Sequence, residues 1–473
     1  MYGMMKQKLE ARAEQGKPIQ AGFVGAGRMG TGGMCQIGAM RGIRTSVIAD
    51  LNTDRAARAF ELCGHKREDI VFTGKTGAAE DALRKGRPVV TEDAELVSAV
   101  GVDVVVDATG VPEVGARVAT QTIKAGKHIV MLNVETDVVV GPILYDMAKK
   151  AGVVYTVVSG DEPGLVAEYY DRYTSLGFEI VAVGKAPSSL AHYNRYATPD
   201  SVAEDARRLG INPHFLVTFR DGTKTMIEMA CISNYTRLVP DIPGMHGPVA
   251  GVDEMVRLFR PKSEGGLLNR RGVVDYARPI MTEAGKIDFH RSVTPGVFLV
   301  VYTDHPQIRA DLDYLDVTGA DGYYNMYTPY HLVTNEMPLA IVTAVLDHHP
   351  TVYAKYGLVT EVVGVAKRDL KPGDIIDGLG GAMLYSSNDL YESAKAQNQV
   401  PMGLLPGAKV LRAIPKDQVI TREAVEIKTD TTLYRLRALQ DRGGSAAPAE
   451  LEPQVGRGKG GRGKGGRMDI AAQ

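Results

Sequence analysis

Along the first third of the chain, short apolar runs alternate with longer segments whose apolar positions recur every three or four residues. The runs at 19–24, 45–50, 102–107, 128–133 and 153–159 read as strands. VDVVVD at 102–107 is almost continuously apolar, as a strand buried on both faces of a parallel sheet requires. Segments 29–41, 53–63, 112–125 and 142–151 carry the helical period, and 75–87 reads as an inserted helix or loop. This alternation predicts an α/β fold with a doubly wound sheet, whose ligand crevice lies beyond the carboxyl ends of the strands. From residue 160 the pattern changes to longer strands such as FEIVAV, mixed with helices and dense polar clusters, which predicts an α+β domain.

Between 358 and 425, short β-rich runs separated by Pro-Gly and Gly-Gly turns predict a small barrel-like β domain. A helix is expected at 434–441, and the composition from Gly443 onward is that of a disordered end. The expected division is therefore 1–160, 161–355, 356–428 and 429–473.

With 473 residues, the chain exceeds what one hydrophobic core usually supports, and 44% hydrophobic and 23% charged residues mark an ordinary globular protein. Cys35, Cys63 and Cys231 are odd in number and widely spaced, so they form neither a disulfide framework nor a zinc pattern, which suits a reducing compartment. The first 18 residues place charges where a signal peptide needs an apolar core, and they read as a short amphipathic helix. No run approaches a membrane span, so a cytoplasmic location is expected. The net charge of −1 includes five positive charges at 456–467, which leaves −6 on the rest and no electrostatic footprint for nucleic acid on the folded part. The glycine-rich basic tail itself reads as a solvated extension, capable at most of a weak nucleic-acid contact.

The candidate chemistry begins at GAGRMG. Gly25 permits a tight turn, Gly27 lets backbone approach a pyrophosphate, and Gly30 lets helix and strand pack closely. The amides of Arg28 and Met29 then open a helix toward the phosphates. Asp50, about twenty residues after the last glycine, closes the second strand, where a carboxylate binds ribose hydroxyls. It favours NAD over NADP, although Arg55 nearby pulls the other way. Thr109, Gly110 and Asn133 sit at later strand ends as neighbours of a nicotinamide ring, unless the polar two cap the following helices.

Farther along, GDEPG brings Asp161 and Glu162, the end of a strand brings Lys185, and DGTKTMIEM brings Asp221 and Lys224. Lysines that polarise a carbonyl or pass a proton, with carboxylates that orient substrate or hold a metal, suit carbonyl or hydroxyl chemistry beside a nicotinamide. Each also has a plainer reading. Asp161 and Glu162 serve a helix N-terminus, and Lys224 is a surface lysine in a first turn. His246 and His331 are weaker candidates, because isolated histidines are more often structural.

GAGRMGT, DATGVPEVG, NVETDVVVGP, GDEPG, DGTKTMIEMA, PDIPGMHGP, GVVDY, PGVF, PYHL and AKRDLKPGD with GLLPG occur in this order across 11–441. Together they resemble the homoserine dehydrogenase-like oxidoreductases with a C-terminal SAF domain, and most of all the deoxyxylulose phosphate reductoisomerase-like (DRL) enzymes. The resemblance implies a homodimer with an N-terminal Rossmann domain, an α+β substrate and dimerisation domain, and a SAF-like β domain, with a helix at 339–347 returning to the Rossmann domain. It implies that Lys224, Asp221, Lys185, Asp161 and Glu162 are the reacting set, with Lys224 passing the proton. It also implies a divalent metal, Mg or Mn, whose ligands would be Asp161 and Glu162. The expected activity is NAD(P)-dependent hydride transfer on a small hydroxy acid or sugar phosphate, with or without isomerisation. The alternatives are plain homoserine dehydrogenation and a non-catalytic cofactor-sensing or carbohydrate-binding role. The relatives use NADPH and carry a shorter Lys-Asn-rich loop where this chain has PSSLAHYN at 187–194, so a different, catabolic substrate is admitted.

Overall fold

The computed structural model describes residues 4–443, so the basic run at 456–467 and the end expected to be disordered lie outside the described residues. Seven strands form the first sheet: β1 (Ile19–Val24), β2 (Ile43–Ala49), β3 (Val71–Phe72), β4 (Val89–Thr91), β5 (Val104–Asp107), β6 (His128–Met131) and β7 (Tyr155–Val157). Their order is β3-β4-β2-β1-β5-β6-β7 and every pair is parallel. The winding reverses between β1 and β5, which is where the crevice of such a sheet opens. Segment 75–87 contains a helix, Thr76–Arg84, but β3 and β4 flank it. Those strands are two and three residues long, too short for any period to register.

Helix α1 (Arg28–Gly38) follows β1 across the glycine turn and ends three residues earlier than the apolar period suggested. Gly25 has φ +101°, and a Cβ on Gly30 would meet the Gly25 carbonyl oxygen at 2.3 Å, so both positions require glycine. A Cβ on Gly33 would meet Met337 Sδ at 2.5 Å.

Helix α2 (Val134–Ala151) begins eight residues before the expected 142, and Pro142 lies inside it rather than in its first turn. Asn133 caps it by accepting the Thr136 N–H at 3.2 Å. Proline removes one backbone donor and pushes the preceding turn apart. The side chain of Gln440 bridges that break, with Oε1 accepting the Ile143 N–H at 3.1 Å and Nε2 donating to the Val139 carbonyl at 3.1 Å. Gln440 belongs to the last helix, Thr432–Asp441, whose first amides at Thr432 and Leu433 donate to the Glu113 carboxylate at 3.0 and 2.8 Å. The chain therefore closes back on its first domain.

The second sheet runs β12 (Gly319–Ala320), β13 (Tyr323–Thr328), β11 (Gly296–Tyr302), β8 (Glu179–Ala186), β10 (Val273–Tyr276), β9 (Val239–Pro240). β8, β10 and β9 are parallel, and β11 is antiparallel to both β8 and β13. Helices α3 (Glu162–Ser175) and α4 (Thr223–Thr236) cover one face, and every residue of α4 is buried. Helix α5 (Val333–Val342) starts six residues before the expected 339 and lies on α1, burying Met337, Ala340, Ile341 and Val342 in one cluster with Met34 and Ile37.

The β-rich segment consists of two antiparallel pairs, β14 (Thr360–Ala366) with β15 (Leu384–Leu390) and β16 (Lys409–Val410) with β17 (Val425–Glu426), joined by isolated bridges such as Val365 to Val419. Its apolar residues share one core with α2 and with Leu433 and Leu436 of the last helix. No helix among the described residues is long and apolar enough to cross a membrane.

Asp137 ties α2, β7 and α4 together. It is fully buried, accepts the Tyr155 hydroxyl at 2.9 Å and faces Cys231 Sγ at 3.5 Å. Burial pushes its carboxyl up to about 6, against the two hydrogen bonds. A folded-state value above the ordinary one means that its stabilising contribution is complete below the ordinary carboxylate range and is lost as pH rises through about 6. We therefore expect Asp137→Asn to gain stability relative to the parent between about pH 4 and about pH 7, by up to roughly 3 kcal/mol in urea unfolding. A difference independent of pH would contradict it.

Candidate active site

Four elements bring the reacting candidates together. Glu162 opens α3 with Asp161 as its N-cap, and Lys185 lies near the end of β8. Lys224 and Glu228 lie four apart on one face of α4, and Glu135 stands in the first turn of α2. All six are between 1% and 8% exposed.

Lys185 Nζ sits 2.6 Å from Glu162 Oε1 and also contacts Glu228. Lys224 Nζ donates to Glu135 Oε1 at 2.9 Å and lies 3.7 Å from Glu228 Oε1. His331 Nε2 faces Glu162 Oε2 at 3.6 Å, while its Nδ1 is 2.9 Å from the Pro295 carbonyl oxygen. A carbonyl demands a donor there, so Nδ1 carries a proton, and Nε2 is the ring atom turned toward Glu162.

The charges shape one another. Burial opposes both ammonium groups, but Glu162 and Glu228 hold Lys185 above its ordinary range, and Glu135, Glu228 and Asp161 do the same for Lys224. Burial likewise opposes the charge on Glu162, yet Lys185 and then His331 hold its carboxyl well below the usual range. Asp161 is pushed well above it by burial, by Glu162 and by Glu228, against Lys224. Glu228 is raised by burial and Glu162, against both lysines. At neutral pH the lysines are thus fixed cations, and Asp161 is the carboxyl least content with its charge.

The remaining sequence candidates stand elsewhere. Asp221 does not join the cluster: its Oδ1 accepts the Thr223 N–H at 2.9 Å and its Oδ2 pairs with Lys367 at 2.9 Å. Lys367 also donates to the carbonyls of Ala197 and Gly381, so Asp221 latches the β-rich segment to the start of α4. His246 bonds Asp241 at 2.8 Å, apart from the lysines.

On the nucleotide side, a Cβ on Gly27 would meet nothing within 4 Å, so backbone there faces open space. Arg28 is exposed and opens α1 with Met29, and Gly110 has φ +68° in the turn after β5. Asp50, at the end of β2, accepts the Ala26 N–H at 2.7 Å and the Asn52 N–H at 2.8 Å, and Arg55 Nη2 reaches its two oxygens at 2.8 and 3.0 Å. Its carboxylate holds the glycine turn in place, a role the expectation of ribose binding did not include. Asn133 is fully buried and donates to Asp107 Oδ2 at 2.9 Å, while Thr109 Oγ1 donates to Asp107 Oδ1 at 2.7 Å. Asn133 thus serves as the cap of α2 and as a partner of Asp107.

Glu135, Glu228 and His331 were the residues that sequence reasoning missed or undervalued. The spacing of Lys224 and Glu228 was the available signal for one of them. Nothing local ties Glu135 to a lysine 89 positions away. Among the described residues, Asp161, Glu162 and His331 form a set whose ligand atoms lie within 4.8 Å of one another.

Residues 160–337 match the family described as oxidoreductase DRL, catalytic domain, and residues 25–157 match the NAD-binding domain of homoserine dehydrogenase. The first range holds every member of the cluster except Glu135. No curated protein matches the chain. Among solved structures, a homoserine dehydrogenase from Thiobacillus denitrificans is 15% identical over 84% of this chain and 97% of that one, with a TM-score of 0.40. A probable dehydrogenase from Thermotoga maritima is 13% identical over 72% and 92%, with a TM-score of 0.36. The 1-deoxy-D-xylulose 5-phosphate reductoisomerase of Zymomonas mobilis, in complex with NADPH, is 15% identical over 45% and 57%, with a TM-score of 0.32. The chain is an NAD(P)-dependent oxidoreductase in which a segment similar to the NAD-binding domain of homoserine dehydrogenase precedes one similar to the catalytic domain of oxidoreductase DRL.

Proposed function

We propose that the enzyme moves a hydride between a nicotinamide and the carbinol or carbonyl carbon of a small hydroxy acid or sugar phosphate. The observation that carries this reading is the pair of buried ammonium groups, Lys185 and Lys224, held among four carboxylates beside the nucleotide domain. The nicotinamide supplies the hydride. Lys224, kept charged by its acidic neighbours, hydrogen-bonds the substrate oxygen and passes it a proton as the alkoxide develops. Glu135 and Glu228 hold that ammonium in place, and Lys185 holds Glu162 and Glu228 in turn.

Four carboxyls outnumber the two ammonium groups in a buried site, and His331 turns Nε2 toward Glu162. Asp161, Glu162 and His331 therefore fit a divalent ion, and one imidazole in the set suits Mn better than Mg. When bound, such an ion supplies Lewis-acid polarisation of the substrate oxygens, on which a coupled isomerisation would rest. NAD is preferred to NADP in this reading, because Arg55 is engaged by Asp50 and so is not free to meet a 2′-phosphate.

A cofactor-reduction screen across hydroxy acids and sugar phosphates, with NAD and NADP and with Mn or a chelator, tests the proposal. Cofactor binding without turnover on any of them would remove it. Lys224→Met is expected to lower kcat by about 100-fold or more while NAD affinity by calorimetry is unchanged. Full turnover in that variant would end the assigned role. Asp161→Asn should weaken Mn binding in equilibrium dialysis by about tenfold or more, and equal binding would exclude it as a ligand. Asp50→Asn releases Arg55 and should raise kcat/KM with NADP relative to NAD by about tenfold, whereas an unchanged ratio would show that neither residue reads the ribose.

A further inference from the structure

Two of the three cysteines, which form no motif in the sequence, meet in the structure. Cys35 lies in the third turn of α1 and Cys63 is the C-cap of the helix Thr53–Leu62, and their sulfur atoms are 3.6 Å apart although 28 positions separate them in the chain. Both residues are half-buried, whereas Cys231 is 1% exposed and faces Asp137. A cleft of about 210 Å³ between α1, β2 and the helix Thr53–Leu62 is lined by Cys63 together with Met34, Ile37, Phe60 and His65. A molecule little larger than water, such as hydrogen peroxide, fits there with room to spare.

The two sulfurs differ in how firmly their backbone is held. Helix α1 is pinned from its other side by α5, because Gly32 and Gly33 leave no room for a Cβ against Thr334 and Met337, and Asn335 donates to Gln36, the neighbour of Cys35. Cys63 stands at the end of its helix, and Gly64 after it has φ +91° with nothing within 4 Å of where a Cβ would be. Closing the gap to the roughly 2.0 Å of an S–S bond therefore falls to Cys63. Both helices start at the nucleotide site, α1 at the glycine turn and the other just after Asp50, so a bond between them ties two walls of that site together.

We infer that Cys35 and Cys63 are an oxidisable pair, which a peroxide converts to an intramolecular disulfide that fastens α1 to the helix Thr53–Leu62. The Cys35 thiolate attacks one oxygen of the peroxide, the O–O bond breaks, hydroxide leaves, and Cys35 becomes a sulfenic acid. The Cys63 sulfur then gives up its proton and attacks the Cys35 sulfur, forming the S–S bond and releasing the sulfenic oxygen as water. Two thiols lose two electrons and two protons, and one peroxide is reduced to two waters. The order follows from the pair itself: burial first, and Cys35 second, push the Cys63 thiol up to about 12, so Cys63 keeps its proton until Cys35 has become a neutral sulfenic acid. None of this uses the lysine cluster, so it stands whatever the substrate is.

The test treats the folded full chain with hydrogen peroxide, blocks the remaining thiols with iodoacetamide and maps the peptides by mass spectrometry. One cross-linked pair of peptides is expected, joined through Cys35 and Cys63 and separated again by dithiothreitol, with Cys231 left unoxidised because it is buried. The oxidised chain should unfold about 5 °C above the reduced one in scanning calorimetry, because the bond closes a long loop of the unfolded chain. Cys231→Ser should gain as much on oxidation and Cys63→Ser nothing. In Cys63→Ser the reaction should stop at a sulfenic acid on Cys35 that dimedone traps, a readout that does not depend on how stable the variant is. Recovery of Cys35 and Cys63 as separate alkylated residues after the peroxide treatment overturns the inference. So does a disulfide that uses Cys231 or joins two chains, or equal unfolding temperatures for the oxidised and reduced parent.

Discussion

Two ammonium groups and four carboxylates out of water are the constraint that the rest of the structure answers. Removing such ions from water costs several kcal/mol each, and only close and complete pairing offsets that cost. The pairing here draws on four elements: α2 from the first sheet's domain, and α3, β8 and α4 from the second. If Glu135 were withdrawn, Lys224 would keep only the longer contact to Glu228. The joint between the two domains is therefore electrostatic as well as apolar, and the cluster is complete only when both have folded against each other.

A second tie acts on the nucleotide helix. Gly32 and Gly33 of α1 leave room for Thr334 and Met337 of α5, and Asn335 donates to Gln36 at 2.8 Å. His331, which faces Glu162, lies just before α5. One short stretch thus touches the helix that follows the glycine turn and also the carboxylate cluster. Asp50 plays the corresponding part at the other end of the glycine turn, where it joins β2 to the Ala26 amide.

Much of this was legible in the chain. The glycine spacing and the run VDVVVD announced a doubly wound parallel sheet because both are local patterns with a fixed period. Lys185, Lys224, Asp161 and Glu162 stood out because each follows a glycine or closes a strand, and the structure brings all four together. Asp221 looked equivalent to them in DGTK, but its partner Lys367 lies in the β-rich segment, a long-range contact that no local pattern encodes. The start of α2 was misplaced because Pro142 was taken as a first-turn residue, when the capping side chain of Asn133 lies nine positions earlier. The β-rich segment reads as a small barrel-like β domain from its turns, whereas the core its apolar side chains share with α2 is a long-range contact.

The proline inside α2 has a consequence for how the chain is made. The backbone groups it releases at Val139 and Ile143 wait for a glutamine that lies 301 and 297 residues later. During synthesis the nucleotide domain emerges first, with one of its central helices still open to water at that point. Its hydrogen bonding closes only when the last helix arrives and is seated by Glu113. A polypeptide that stops before Gln440 therefore carries all of its nucleotide-binding sequence, yet lacks the side chain that completes the hydrogen bonding of α2.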